Sequence, residues 1–162
     1  MTTQYNARVL SAPTIESITD AALKFLLGNR VLSAPVVAIG TTATNVRTDE
    51  FTFMIDGVVY TKAAVAAGSV FTDVAPQAAN STALYLVTVD VAGAILVING
   101  ESTPITGQPD DLRVPACPLN LCPVGVVKVA CTTAFVPGTT ALSAGTVTDT
   151  YYDLGCAVRS VP

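Results

Sequence analysis

The chain has 162 residues, of which 51% are hydrophobic and only 12% charged, with a net charge of −4 and no histidine. That length suits one domain, or one domain with an arm, and is enough to bury a core without metal or disulfide support. The missing histidine excludes Ser-His-Asp and Cys-His catalysis and every His-containing metal site, and the eight scattered basic residues argue against nucleic acid as a partner.

Residues 1–13 read as an irregular polar arm ending in Pro13. They lack the basic-then-apolar order of a signal peptide, which predicts synthesis and assembly in the cytoplasm. Ile15, Ile18, Ala22, Phe25 and Leu26 follow at three- and four-residue steps, which predicts a helix over about 15–27. Glu16 in its first turn favours the helix dipole, and Gly28-Asn29 is a stop signal. The hexapeptide "RVLSAP" flanks this helix on both sides, as Arg8–Pro13 and again as Arg30–Pro35. Two copies are too few for a solenoid. They are either a local duplication without a role or two extended segments that dock on equivalent grooves, those of different neighbours in a symmetric assembly.

From residue 36 β-branched residues dominate, and turn signals recur every eight to twelve residues. "VVAIG" reads as a short strand. Phe51, Phe53 and Ile55 alternate with Thr52 and Met54, and Asp56-Gly57 then separates them from Val58-Val59-Tyr60, the pattern of a tight hairpin. "TKAAVAAG" carries a weak helical pattern. "TALYLVTVDVAGAILVING" repeats the hairpin with a looser turn at Ala92-Gly93, and "VGVVKVACTTAFV" and "TVTDTYYDLG" are the last clear strands. Between them a loop at about 103–123 holds five prolines, too many for a central strand. Irregular connections of that length are usually functional or cover something. The apolar runs are strand-length, far short of the roughly 20 residues that span a membrane.

Candidate chemistry is thin. Cys117, Cys122, Cys131 and Cys156 match no common zinc spacing. They read as buried thiols, with one or two disulfides or an all-thiolate metal site as the alternatives; Cys117 and Cys122 are placed to bridge the proline-rich loop under oxidising conditions. Asp110-Asp111 and the pair Asp149 and Asp153 read as solvated charges, and a turn requirement explains Asp56. Lys62 and Lys128 are expected to face solvent or shield a sheet edge. Without tryptophan, sugar stacking would fall to Tyr60, Tyr85, Tyr151 and Tyr152.

Three stretches, "FTFMIDGVVYTKAA", "ALYLVTVDVAGAILVINGE" and "CPVGVVKVACTTAFVPGTTALSAGTVTDTYYDL", together resemble small Thr/Ala/Gly/Val-rich structural proteins of tailed bacteriophages, some of which are capsid decoration, or cement, proteins. The resemblance covers about residues 51–154 and carries no catalytic residues. It implies a protein that sits on the outer face of a capsid shell and ties neighbouring subunits together.

The combined expectation is an all-β protein, a sandwich or jelly-roll-like barrel, with an N-terminal extended arm and one short helix. Residues 1–35 form the arm and helix, and residues 36–162 the β domain. The expected function is structural: binding the outer surface of a phage capsid and bridging its subunits. The expected partners are the major capsid protein and further copies in a dimer or trimer, with no nucleic acid, membrane, cofactor or metal. The expected contact residues are Arg8, Leu10 and Pro13, their counterparts Arg30, Leu32 and Pro35, and Arg113, Pro115 and Pro118 in the proline-rich loop. The two arginines would offer forked hydrogen bonds to carbonyls or carboxylates, and the two leucines apolar anchors. The alternative is a fibre- or tail-associated module that binds host glycans or receptors.

Overall fold

A computed structural model describes residues 28–71, 75–105 and 112–155. Ten strands run through them: β1 (Arg30–Val31), β2 (Ala38–Ile39), β3 (Asn45–Arg47), β4 (Phe51–Ile55), β5 (Val58–Lys62), β6 (Ser69–Val70), β7 (Ser81–Val89), β8 (Ile95–Pro104), β9 (Cys122–Cys131) and β10 (Val147–Asp153). The described residues are all-β and contain no helix. The helix expected at 15–27 and the arm at 1–13 lie outside them.

Three antiparallel sheets form, in the orders β1-β4-β5, β10-β9-β7-β8 and β2-β3-β6. Each is open, and no closed barrel forms among the described residues. The four-stranded sheet is the backbone of the molecule. Its central strand β7 is buried along nearly its whole length, which is why it reads as an almost continuous apolar run rather than a clean alternation. One side of this sheet sends Ala83, Tyr85, Val87 and Val89 from β7 and Val127 and Val129 from β9 into a single core. Val31, Phe51, Phe53, Ile55 and Val46 from the two smaller sheets, and Phe71 just after β6, meet them there. Phe71, Tyr85 and Phe135 pack edge-on, with centroids 5.3 to 6.2 Å apart.

Two irregularities bend the long sheet. The pairing of β7 with β8 shifts between Ala83 and Tyr85, opposite Gly100, and the pairing of β7 with β9 shifts between Val87 and Thr88, opposite Val124. Each puts one extra residue in the neighbouring strand, the signature of a bulge. Gly125, beside the second, is fixed by close approach: a Cβ there would lie 2.6 Å from Val37 Cγ2 and 2.8 Å from the Tyr152 carbonyl oxygen.

The Asp56-Gly57 hairpin forms as the sequence predicts, with φ of 50° and 79° at its two central residues and β4 pairing with β5 from Ile55↔Val58 to Phe51↔Lys62. The looser turn after β7 is held by Asp90, whose Oδ1 accepts the Ala92 and Ala94 N–H groups. The weak helical pattern of "TKAAVAAG" is not realised. Its first two residues end β5 and the rest form an irregular turn, because Ala63, Ala64, Ala66 and Ala67 are all exposed and offer no apolar stripe to bury. "VVAIG" pairs only at Ala38–Ile39. Val36 before it sits at φ 46°, a left-handed conformation that breaks the strand. Arg30–Pro35, placed with the arm on sequence grounds, is instead built into the body: β1 adds to the free edge of β4, with Arg30↔Met54 and Val31↔Phe53 in register.

Candidate functional site

Of the proline-rich segment, residues 112–121 are irregular and firmly held at their C-terminal end, whereas Pro104 closes β8 and Pro123, against the sequence expectation, lies in the central strand β9, beside the bulge at Val87-Thr88 that lets a proline sit there. Asn29 Nδ2 donates to the carbonyl oxygens of Leu119 (2.6 Å) and Leu121 (2.8 Å), while its Oδ1 accepts the Asp56 N–H at 3.0 Å. One amide side chain therefore fastens the loop to the tip of the β4–β5 hairpin. Leu121 N–H closes a turn onto the Pro118 carbonyl oxygen, and Leu121 and Cys122 are buried beneath it. Leu119, between these fixed points, is 93% exposed. The neighbouring hairpin carries Val58 and Val59, 52% and 58% exposed. Asn29 thus ties together, through backbone groups, two tips that each expose aliphatic side chains.

The expected contact residues divide. Arg8, Leu10 and Pro13 lie outside the described residues. Arg113 and Pro118 are exposed, Pro115 is half-buried, and the Arg113 carbonyl oxygen runs beside Gly100 of β8. Leu32 is exposed and available. Arg30 is half-buried. Pro35 is buried and its carbonyl oxygen accepts the Asp49 N–H at 2.8 Å, so it serves the body and not an outside partner. Sequence reasoning missed Asn29, which it took only as a helix stop, and Leu119, which carries no signal beyond its place between prolines.

The titratable groups work structurally. Asp153 Oδ1 accepts the Val37 N–H at 2.6 Å, the Tyr151 hydroxyl donates to Asp149, and Arg47 pairs with Asp49 at 2.8 Å. Asp110-Asp111 lies outside the described residues. Cys117, Cys122 and Cys131 are free thiols. Burial, helped by the neighbouring Cys117, pushes the Cys122 thiol up to about 12, and burial also raises Cys117. Burial holds the Tyr85 hydroxyl far above its usual range; that hydroxyl donates to Gln77 Oε1 at 2.9 Å. Among the described residues no cluster of three or more His, Cys, Asp or Glu side chains could hold a metal. No helix among them is long and apolar enough to cross a membrane. An open cleft of about 670 Å³, lined by Ala78, Asn80, Ser81, Ser102, Ile105 and Thr132 among others, has no ionisable side chain in its wall.

No family model matches the chain, and no curated protein or solved structure matches it either.

Proposed function

We propose that this chain is a structural virion protein that binds the outer surface of a phage capsid and stabilises the shell by bridging neighbouring capsid subunits. The observation that carries this reading is the pair of fixed apolar tips, one with Leu119 and the other with Val58 and Val59, tied together by Asn29. Preorganised anchors lose little freedom on binding, so a small neutral footprint suffices. Many identical contacts on one shell then act together through effective concentration, and each can be weak. The body suits the task as a two-layer sandwich, with the four-stranded sheet facing the two smaller sheets across the shared core. No buried side-chain polar atom among the described residues lacks a hydrogen-bond partner, as a rigid clamp requires. The low charge favours contacts that salt does not screen.

The major capsid protein and further copies in a dimer or trimer are the proposed partners, and the virion exterior the proposed location. The host-binding alternative draws less support. Tyr85 is fully buried, and Tyr60 and Tyr151 pack against the core, so among the described tyrosines only Tyr152 offers an open ring.

The test is to mix purified protein with capsids that lack it, then sediment and image them. Saturable, ordered density on the shell is expected, and Leu119→Asp should weaken it at least tenfold while leaving the thermal midpoint within about 1 °C, since the side chain is exposed. Failure to bind any capsid, with binding to host cells instead, would overturn the proposal in favour of the fibre reading.

A further inference from the structure

The seat of β1 shows what the repeated hexapeptide does. Arg30–Val31 closes the free edge of β4 and packs against β9. Val31 enters the core. Leu32 and Ser33 donate their N–H groups to the Thr52 carbonyl oxygen at 2.8 and 3.3 Å, and Ser33 Oγ accepts the Thr52 N–H at 2.8 Å. Pro35 is buried and accepts from Asp49. Each of these contacts is made by a residue of "RVLSAP" or by its backbone, and the same six residues stand at Arg8–Pro13. The likeness continues past the hexapeptide: Val37, which packs over Gly125, has the β-branched Ile15 as its counterpart.

We infer that the seat beside β4 is a binding site for this segment as such, and that residues 8–13 of the same chain are its second ligand. The chain carries two strands for one edge. The offset between them is 22 positions, so seating the first copy loops out a segment whose closure entropy rises only slowly with length. A ligand tethered this way competes at an effective concentration that a separate chain reaches only in concentrated solution. The choice between copies falls to the flanking residue. Asn29, just before the second copy, makes three hydrogen bonds to the loop and the hairpin; Ala7, just before the first, has no side chain to make them. Asn29 therefore selects the register in which β1 is built from residues 30–31, with the other register as the minor state.

Full-length variants test this. Val9→Asp should leave the thermal midpoint within about 1 °C of the parent, and Val31→Asp should lower it by only a few degrees, because the intact first copy takes the seat. Val9→Asp combined with Val31→Asp should lower it by a further ~10 °C or more, since a buried carboxylate then has no substitute strand. A Val31→Asp chain as unstable as the double variant overturns the inference. A Val31→Asp chain that doubles in mass, with a midpoint rising with concentration, also overturns the same-chain assignment and gives the seat to a second chain. Amide exchange provides an independent readout in Val31→Asp. Leu10 and Ser11 should gain protection at least tenfold as Leu32 and Ser33 lose it, and unprotected Leu10 and Ser11 would refute the second ligand.

Discussion

Asn29 and Gln77 show how much a single amide can hold in a chain this poor in charge. Gln77 Nε2 donates to the Ser81 and Val129 carbonyl oxygens, and its Oε1 accepts the Tyr85 hydroxyl, all in the interior. Its own backbone exchanges hydrogen bonds with Phe135 in an isolated antiparallel bridge. Gln77→Leu would strand the buried Tyr85 hydroxyl and take a donor from two interior carbonyls, so it should destabilise by about 2–4 kcal/mol in chemical denaturation. Tyr85→Phe strands only the amide oxygen and should cost less, about 1–2 kcal/mol. A Gln77→Leu chain as stable as the parent would show that the network is ornamental. Neither Gln77 nor Asn29 stands out in the sequence, because a polar residue between apolar runs reads as surface until the fold closes around it.

At the scale of elements, the strands follow local chemistry and the interruptions follow packing. Asp56-Gly57 predicts its hairpin because two successive positive φ angles admit few residue types. Val36 is the opposite case, a β-branched residue held at φ 46° because Pro35 is buried behind it and the Val37 N–H is tied to Asp153. Val36→Gly removes that strain from an exposed position, and the gain should outweigh the flexibility lent to the unfolded chain. Stability should rise by about 0.5–1 kcal/mol in a denaturant titration. Gly125→Ala should do the reverse, losing about 1–3 kcal/mol, because the added methyl meets both the Val37 side chain and the Tyr152 backbone.

For the whole molecule, the Cys122 thiol and the Tyr85 and Tyr151 phenols, all raised chiefly by burial, shape the response to alkali. Cys122 ionises near 9.0 when unfolded but only near 12 when folded, so above pH 9 the unfolded chain has released a proton that the folded chain still binds. The sign is then fixed: this contribution to stability is complete below pH 9 and is lost as pH rises toward 12. Tyr85, also raised, adds to the loss above its ordinary value of 10.0. Denaturation midpoints should fall steeply between pH 9 and 11, and Cys122→Ala should flatten that slope while lowering the whole curve. In a Cys156→Ser background, maleimide at neutral pH should label the half-buried Cys117 well before the buried Cys122 and Cys131.

The sequence by itself determined the all-β class, the hairpin at Asp56-Gly57, the long strands around residues 81–104 and 122–131, and the irregular run over 112–121. Each rests on local rules, namely alternation, turn geometry and the missing proline N–H, that act between near neighbours in the chain. It also raised the question of the doubled hexapeptide. Only the tertiary structure decided that the second copy is a strand of the body with Val31 in the core, that Pro35 is spent internally, and that Asn29 clamps the backbone at Leu119 to the hairpin that carries Val58 and Val59. The Asn29 clamp alone joins residues 90 positions apart. Such contacts form only when the chain closes on itself, and nothing in a local pattern encodes which distant carbonyl a given amide will meet.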